Sequence, residues 1–449
     1  MLQQEKTRKK LTSAQLILLG FAVVILAGTA LLSLPFAVKS GNSGNLIDLL
    51  FTATSAVCVT GLVVVDTGTF FSPAGHVVIL TLIQIGGLGI ITATTLYALV
   101  FGKRIGLRER VILKEALNNQ ELGGVVRLVK VILTVTLIIE LIGGLLLSAA
   151  FLEYFPPLKA LWYGFFHAIS GFCNAGFDIV GADYYKFSSL IPLRNNALIV
   201  LTLSALTILG TLGFFVIIDI YRQRKWQRLT LHSKLAIVST AVFITLATLL
   251  FFFIGKGTAL QGLGIERFIN AFFMGFVSRT SGFSTINFAE ALPGALLILM
   301  FIMFVGACPG GTGGGIKTTT FAVLFLSTRA RLQRKEEVVV YNRRIGQGTI
   351  NRAVTIVLIS SVIVFLGIVL LTLLDSHDLL SLMFEAFSAF GTVGLSLGIT
   401  SELSSGAKLV LICLMFFGRL GPLTLAFALI EGEAKTDKIK YPRGDVIIG

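Results

Sequence analysis

FEAFSAFGTVGL, the stretch from Phe384 to Leu395, has three related copies in this chain, and this repetition decides the fold. The other copies, FTATSAVCVTGL, FHAISGFCNAGF and FFMGFVSRTSGF, begin at Phe51, Phe166 and Phe272. Each has phenylalanine ten residues before a glycine, and these glycines are 115, 106 and 112 residues apart. A motif repeated at a nearly fixed period indicates one structural unit used four times. The glycines are Gly61, Gly176, Gly282 and Gly394.

The composition places these units in a lipid bilayer. Hydrophobic residues make up 55% of the chain and charged residues 13%, and the mean hydropathy is +0.89. The first apolar run, residues 16–35, has about the 20 residues needed to span a membrane. It exceeds the apolar core of a cleavable signal peptide, about 7–15 residues, so we expect it to be retained. The four cysteines lie in apolar context and are interpreted as reduced packing residues: Cys58, Cys173, Cys308 and Cys413.

Each unit is predicted to contain a first spanning helix, a short apolar half-helix, a glycine turn and a second spanning helix. The predicted fold is an all-α polytopic membrane protein with eight transmembrane helices and four re-entrant half-helices around a pseudo-fourfold pore. Residues 1–449 form one membrane domain, with repeats 1 to 4 at about 12–115, 116–226, 227–340 and 341–432, and a cytoplasmic tail at 433–449. First spans are expected at 15–38, 126–152, 233–255 and 350–374, half-helices at 46–58, 159–173, 264–279 and 378–391, and second spans at 75–102, 195–221, 293–327 and 406–430.

Charge gives the orientation. Most of the 37 Lys and Arg residues lie at the termini and at the boundaries between repeats. By the positive-inside rule these regions are cytoplasmic, both termini included, and the glycine turns are reached from outside the cell membrane. The net charge of +14 is therefore explained by topology, and nucleic-acid binding is excluded as its cause.

Four half-helices that end in glycine turns are the plan of an ion pore. Backbone carbonyl groups can replace the hydration shell of a cation, and glycine lets them converge because no Cβ intervenes. The negative ends of the half-helices also favour a cation at the membrane centre. A weaker alternative is that the turns only pack helices together. The predicted filter residues are Cys58, Val59, Thr60 and Gly61; Asn174, Ala175 and Gly176; Thr280, Ser281 and Gly282; and Thr392, Val393 and Gly394, with potassium at the carbonyl groups of the four glycines.

The four turns differ in sequence, so the predicted ring is only pseudo-fourfold. Only residues 392–394 match the TVG of the potassium-channel filter TVGYG, and no copy has a second glycine two residues later. This pattern predicts fewer consecutive carbonyl sites than in that filter. It leaves the choice between potassium and sodium open.

The second spans of three repeats share a small-residue motif: GGLG from Gly86, GTLG from Gly210 and GRLG from Gly418. Small residues permit close helix contacts. Repeat 3 instead contains VGACPGGTGGGIK, from Val305 to Lys317, whose glycines and proline disfavour a continuous helix. Non-helical backbone at membrane depth must be buried or line a water-filled cavity. We therefore predict a flexible intramembrane gate at 306–315, with gate residues Gly306, Gly310, Gly311, Thr312, Gly313, Gly314, Gly315, Lys317 and Arg419.

Several polar residues are predicted to lie near the pore without lining it. An intramembrane cation such as Arg419 rarely faces lipid, so it either restrains the gate loop through carbonyl groups or forms a buried pair with Glu140. Arg279 is expected to brace the filter from behind. Glu385 and His167, each nine residues before its glycine, are expected to satisfy polar groups behind the filter.

These motifs identify a family resemblance. The CVTGL, CNAGF, RTSGF and GTVGL turns, the IQIGGLG run (residues 83–89), the GGTGGGIK loop (310–317) and FFGRLGPLT (416–424) resemble the Trk/Ktr/HKT superfamily of cation transporters, most closely its Ktr-type potassium-uptake membrane subunit. The resemblance implies four filter glycines, an intramembrane gating loop and an arginine, Arg419, that restrains the loop. It also implies a homodimer with one pore per protomer in membrane lipid, potassium uptake stimulated by sodium, and a cytosolic ring of RCK-type nucleotide-binding regulatory subunits. The basic stretches at about 103–124 and 328–349 are candidate docking sites for this partner.

Other functional classes fit the sequence less well. The four histidines are scattered and no catalytic or metal-ligand spacing is present, so an enzyme is not predicted. The sequence GIKT from Gly315 does not match the GK[ST] spacing of a phosphate-binding loop. Alternating-access transporters favour inverted repeats, whereas these four copies share one orientation. A sodium- or proton-coupled potassium symporter, or a less selective potassium/sodium transporter, remains the alternative.

Overall fold

The computed structural model describes residues 12–42, 44–89, 125–254 and 264–421. This part of the chain is predominantly helical, as predicted, with one short antiparallel ribbon, Val339–Val340 paired with Arg343–Arg344, that the all-α prediction omitted. The candidate docking stretch at 103–124 and the tail at 433–449 lie outside the described residues. So do the ends of the predicted second spans of repeats 1 and 4.

Within each predicted repeat the helices follow the expected order. The first helices are Ser13–Leu32, Val125–Phe151, Leu231–Ile254 and Gln347–Leu374. The short helices are Leu46–Cys58, Pro157–Phe172, Ile265–Thr280 and Leu379–Gly391. The second helices begin as Pro73–Leu88, Ala197–Leu212, Pro293–Phe304 and Ser405–Leu420. Further helices are Thr67–Phe70, Phe214–Gln223 and Thr318–Leu332, with 3-10 turns at Val180–Ala182, Ile191–Leu193, Trp226–Arg228 and Phe288–Glu290.

Side-chain caps in the sequence explain where these helices begin. The side chains of Asn45 and Asp378 accept hydrogen bonds from the first turns of the short helices in repeats 1 and 4. Ser72, Asn196 and Ser404 do the same for three second helices. Such caps satisfy backbone N–H groups that have no partner within a helix.

The four first helices are long and apolar enough to cross a membrane. A fifth crossing is formed if Ala197–Leu212 and Phe214–Gln223, which meet at an angle of 92°, are counted together. The remaining second helices are shorter in the described part of the chain. The chain is thus built for several membrane crossings, and the total of eight stays a prediction.

In the described part of the chain, the second helices of repeats 1, 2 and 4 end at a glycine. Gly89, Gly213 and Gly421, the last residues of the three small-residue motifs, have φ values of 84°, 86° and 84°, which a helix cannot contain. The prediction of one continuous helix over 195–221 is therefore wrong. Gly213 breaks this helix where its Cα approaches the carbonyl oxygen of Pro309, and a Cβ there would lie 2.7 Å from that oxygen. In repeat 3 the break lies between Phe304 and Thr318, in the region where the sequence disfavours a helix.

Close backbone contacts hold the second helices against the short helices. A Cβ on the first glycine of each motif would overlap a carbonyl oxygen near the end of the short helix in the same repeat. These pairs support the interpretation that small residues permit close helix contacts. The glycine–carbonyl pairs are Gly86 with Val57, Gly210 with Phe172, and Gly418 with Phe390.

The cysteines were expected to be reduced packing residues. Cys58, Cys173 and Cys308 are buried free thiols, whereas Cys413 is an exposed free thiol and does not pack as expected.

We predict that Gly164→Ala destabilises the protein. A Cβ on Gly164, in the short helix of repeat 2, would lie 2.7 Å from the carbonyl oxygen of Gly144 in the first helix. Overpacking of this kind costs about 1–3 kcal/mol, so the melting temperature of purified protein should fall. Gly294→Ala is the control, because no atom lies within 4 Å of its added Cβ and alanine favours a helix. Equal melting temperatures for the two variants would contradict the close packing.

Candidate functional site

The four glycine turns meet in a closed ring. A Cβ added to each glycine would collide with the carbonyl oxygen of the residue that precedes the glycine of the next repeat, and repeat 4 returns to repeat 1. A cycle of four such contacts requires the turns to surround a common centre. We call Gly61, Gly176, Gly282 and Gly394 the glycine ring. The contacts are Gly61 with Ala175, Gly176 with Ser281, Gly282 with Val393, and Gly394 with Thr60.

Glycine is required in this ring for two independent reasons. The φ values are 89°, 69°, 68° and 91° in chain order, in the left-handed region that side chains disfavour. The position of a side chain is also already filled by the neighbouring carbonyl oxygen. The oxygens of Thr60, Ala175, Ser281 and Val393 therefore lie between adjacent turns.

Serines six residues before the glycines support three of the turns. Ser55 Oγ accepts a hydrogen bond from Gly61 N and Ser388 Oγ accepts one from Gly394 N, each at 3.1 Å. Ser170 Oγ donates to Phe177 O at 2.7 Å. Repeat 3 has Phe276 at this position. These serines were not predicted from the sequence, although the aligned motifs show serine there in three of four copies.

The residues two positions before the glycines form the other end of the turns. Val59, Asn174 and Thr392 have φ values of 57°, 60° and 50°. Left-handed backbone is costly for β-branched residues such as valine and threonine, and such strain persists only where surrounding structure imposes it. Repeat 3 differs, because Thr280 still belongs to its short helix.

A cavity of about 200 Å³ opens on one side of the ring. All four glycines line it, together with residues that follow them in the turns, such as Ser284 and Ser396. Asp178 contributes a carboxyl group. Burial, followed by the negative charge of Asp66, raises the pKa of Asp178 to about 7, against the opposing effect of hydrogen bonds from Val180 N and Gly181 N.

The glycine-rich loop (residues 306–315) lies on the other side of the ring. A Cβ on Gly313 would meet the side chain of Thr280 at 2.9 Å, and Gly314 N donates to Thr392 Oγ1 at 2.8 Å. Thr280 and Thr392, which contact the loop, lie two residues before Gly282 and Gly394. The cavity, in contrast, is lined by the ring glycines and by residues that follow them in the chain. The order along the axis is therefore cavity, ring, and loop.

Neighbouring repeats bury the loop and satisfy its backbone. Cys308 N and Thr312 N donate to Thr211 O and Gly210 O, at 3.1 and 3.0 Å, and Gly315 N donates to Gly418 O at 3.2 Å. Irregular backbone inside a bilayer is tolerated only when it is enclosed in this way or lines a water-filled cavity. Backbone hydrogen bonds to repeats 2 and 4 therefore hold the loop in place.

Arg419 binds carbonyl groups on two sides. Its guanidinium donates to Thr312 O in the loop and to Gly86 O and Gly87 O at the end of the second helix in repeat 1. Within the described residues its partners are carbonyl oxygens, and Glu140 instead accepts a hydrogen bond from Gln84 at 3.1 Å. Of the two alternatives derived from the sequence, the geometry therefore matches restraint of the loop and not an Arg419–Glu140 pair.

Two further cations hold the ends of the loop. Arg279 is fully buried, and its Nη2 donates to Gly306 O at 2.8 Å. Its guanidinium lies 5.5 Å from the ring of Phe243. Lys317 Nζ donates to Gly313 O at 2.8 Å. Arg279 thus connects the third short helix to the first glycine of the loop.

His167 and Glu385 lie behind the turns of repeats 2 and 4, and both are fully buried. His167 Nδ1 bonds to Tyr163 O at 2.7 Å, and its ring stacks on Phe283, the residue after Gly282. Glu385 accepts hydrogen bonds from Ser396, Leu397 and Thr400, which follow Gly394. Glu385 thus satisfies polar groups that follow Gly394, whereas the hydrogen bond of His167 stays within its own helix and its Nε2 has no partner in the described part of the chain.

The known proteins that this chain resembles are all named as cation or potassium transport proteins. The family model described as "TrkH: Cation transport protein" matches residues 7–437. Ktr system potassium uptake protein B of Bacillus subtilis is 39% identical over 453 residues, and potassium/sodium uptake protein NtpJ of Enterococcus hirae is 38% identical over 455 residues; each alignment covers 100% of both chains. The potassium transporter TrkH of Vibrio parahaemolyticus has the same fold, with a TM-score of 0.74 and 20% identity over 96% of this chain and 87% of that chain.

The family model covers nearly the whole chain, and two relatives are 38% and 39% identical to it over their full length. The apolar first helices agree with a multi-pass membrane protein. The chain therefore belongs to the TrkH family of cation transport proteins, as its motifs predicted, and is a membrane transporter and not an enzyme.

Proposed function

We propose that this protein is a potassium-uptake subunit in which a cation passes through the glycine ring. The observation that carries the proposal is the closed cycle of four glycine–carbonyl contacts. It brings the oxygens of Thr60, Ala175, Ser281 and Val393 around one centre, where they can substitute for the hydration shell of a cation. The ring glycines and their preceding residues are the proposed selectivity filter.

The glycine-rich loop is the proposed gate. It lies on the axis beside the residues that precede the ring, and Arg419 and Lys317 bind its carbonyl oxygens. Permeation requires the loop to leave this position. Its backbone hydrogen bonds to Gly210, Thr211 and Gly418 are then exchanged for bonds to water.

The relatives favour potassium as the main ion. Ktr system potassium uptake protein B carries potassium in its name, and NtpJ is named for potassium and sodium. Sodium is therefore the proposed second ion, as a permeant or a stimulating one. Two alternatives remain. One is symport of potassium coupled to sodium or protons. The other is a transporter that discriminates less between potassium and sodium, and the name of NtpJ supports this second alternative.

The proposed setting is the cell membrane, with cytoplasmic termini and the cavity facing outward, because the basic residues cluster at repeat boundaries. The name of the Ktr system relatives supports a separate regulatory subunit. We propose an RCK-type ring that docks on the basic cytoplasmic surface, and a homodimer with one pore per protomer. Of the described residues in the basic stretch 328–349, Arg329 and Arg331 lie in the last turn of Thr318–Leu332.

Substitution of Gly282 by Ser tests the filter. The new Cβ would lie 2.5 Å from Val393 O, so we expect the flux of potassium and rubidium through purified protein in liposomes to fall and the preference over sodium to change. Gly264→Ser is the control, because Gly264 also has a positive φ, 77°, but no atom lies within 4 Å of its added Cβ. Unchanged flux and preference in Gly282→Ser would contradict the filter.

Arg419→Ala tests the gate. Loss of its hydrogen bonds to Thr312 O and Gly86 O should release the loop and raise basal flux without altering ion preference. Hydrogen bonds to charged groups contribute about 1.5–3 kcal/mol, and about 1.4 kcal/mol is a factor of ten, so the increase should be about tenfold or more. Arg419→Lys retains the charge without the two-sided geometry and should be intermediate. Lost flux in folded Arg419→Ala would indicate instead that conduction requires Arg419.

External pH tests the cavity carboxyl group. Because the pKa of Asp178 is raised to about 7, the group is neutral below this pH and negative above it. A negative charge beside the ring attracts cations, so potassium uptake should rise between external pH 6 and pH 8. Asp178→Asn should remove this step and keep the low uptake at both values. Glu290→Gln, at an exposed acid outside the cavity lining, should retain the step. A step that persists in Asp178→Asn would assign it to another group.

A further inference from the structure

The second helix of repeat 2 turns sideways at Gly213. Its first part, Ala197–Leu212, and its second part, Phe214–Gln223, meet at an angle of 92°. At this angle the second part adds little depth to a membrane crossing and instead runs along the membrane plane, as interfacial helices do. We call Phe214–Gln223 the lateral helix, and residues 214–228, which include the turn Trp226–Arg228 after it, the lateral segment.

Two contacts fix the depth of the lateral helix. At its start, Phe214 N donates to Gly310 O of the glycine-rich loop at 3.1 Å. Further along, Asp219 Oδ2 accepts hydrogen bonds from Thr230 N and Thr230 Oγ1, at 3.0 and 2.9 Å. Thr230 directly precedes Leu231–Ile254, which is long and apolar enough to cross a membrane. The lateral segment therefore lies level with the end of a membrane crossing.

The lateral helix has a buried face and an exposed apolar face. Val216 is fully buried and packs with Ala236 and Cys308. Ile220 and Tyr221, in contrast, are exposed, and the exposed fraction of Tyr221 is 74%. An apolar face that the described part of the chain leaves uncovered, at the edge of the bilayer, is typical of a helix that lies on lipid.

Exposed aromatic side chains continue beyond the helix. Trp226 is 45% exposed, and its ring packs edge to face on Tyr341 with 6.4 Å between the ring centroids. Cations lie over both tyrosines: the Arg224 guanidinium is 5.9 Å from the ring of Tyr221, and Lys234 Nζ is 5.3 Å from that of Tyr341. Tryptophan and tyrosine are enriched where lipid headgroups meet water. The aromatic residues thus agree with the depth given by the backbone contacts.

The exposed charges of the lateral segment have one sign. Its only acidic residue, Asp219, is bound to Thr230. Its four basic residues are exposed, and the ion pairs within the described part of the chain are formed by other side chains. Clusters of unpaired cations beside an interfacial helix attract anionic lipids. These residues are Arg222, Arg224, Lys225 and Arg228.

We propose that the lateral segment binds the headgroups of anionic phospholipids in the cytoplasmic leaflet. The exposed apolar side chains of the lateral helix contact acyl chains, and Tyr221 and Trp226 lie at the level of the headgroups. The four basic side chains bind the phosphate groups, and their charge favours an anionic lipid over a zwitterionic one. This binding does not depend on the glycine ring or on the gate.

Quenching of tryptophan fluorescence by brominated lipid tests this site, because the chain has two tryptophans, Trp162 and Trp226. Trp162→Phe leaves Trp226 as the only reporter. The protein is placed in vesicles of equal parts phosphatidylcholine and phosphatidylglycerol, with bromine on one lipid or on the other. Phosphatidylglycerol should be enriched beside Trp226 by about fivefold or more, since one basic residue near an anionic surface contributes about this factor.

Loss of charge should remove the preference. With all four basic residues of the lateral segment replaced by Gln in the Trp162→Phe protein, the two brominated lipids should quench equally. Arg224→Gln with Lys225→Gln should be intermediate, and it replaces the fourfold variant if that does not fold. Added salt should weaken the preference of the unchanged segment, because exposed charges are screened.

The second tryptophan is the matched control. Trp226→Phe leaves Trp162 as the reporter, in a recess that it shares with Lys159. Lys159 is paired with Asp183, so its charge is already compensated. Trp162 should therefore be quenched equally by the two brominated lipids in the same vesicles.

Three results would overturn the proposal. Equal quenching of Trp226 by both lipids would leave an interfacial helix without a site for anionic headgroups. Absence of quenching by either lipid would place Trp226 away from the bilayer and assign the lateral segment to a protein partner. A preference that persists in the folded fourfold variant would show that the basic residues do not select the lipid. Failure of the filter or the gate would appear in the flux of Gly282→Ser or Arg419→Ala and would not change this readout.

Discussion

The structure depends on the absence of a side chain at four positions. Each ring glycine leaves room for the carbonyl oxygen of the next turn, so the four turns fit only when all of them omit a Cβ. Positive φ angles of 68° to 91° add a second requirement for glycine. The short helices, their caps and the buried aromatic residues around them serve to place these turns. Because the contacts close into a cycle, displacement of one turn disturbs its two neighbours.

The sequence predicted the elements that local signals define. The short helices of repeats 1 and 3 were expected at 46–58 and 264–279 and occur at Leu46–Cys58 and Ile265–Thr280. Asparagine caps and glycine ends are readable from neighbouring residues. The position of the loop break was predictable for the same reason, since its composition disfavours a helix.

Contacts between residues that are distant in the chain could not be predicted from the sequence. The break at Gly213 depends on the approach of Pro309, and the motif GTLG is equally compatible with a continuous, closely packed helix. The partners of Arg419 lie more than 100 residues away, and a buried arginine alone does not distinguish a carboxylate from carbonyl oxygens. The hydrogen bond between Asn174 and Thr312 joins repeats 2 and 3 across 138 residues of sequence, and no local pattern predicts it.

The central loop has a consequence for how such a protein is assembled. It occurs in one repeat only, and it occupies the position on the axis where its counterparts from the other repeats would also converge. Four identical subunits would bring four glycine-rich loops to the space beside the ring, which holds one. Joining the units in a single polypeptide removes this conflict, because each quarter is then free to diverge. A single chain of four related units thus accommodates one asymmetric loop beside a nearly symmetric ring.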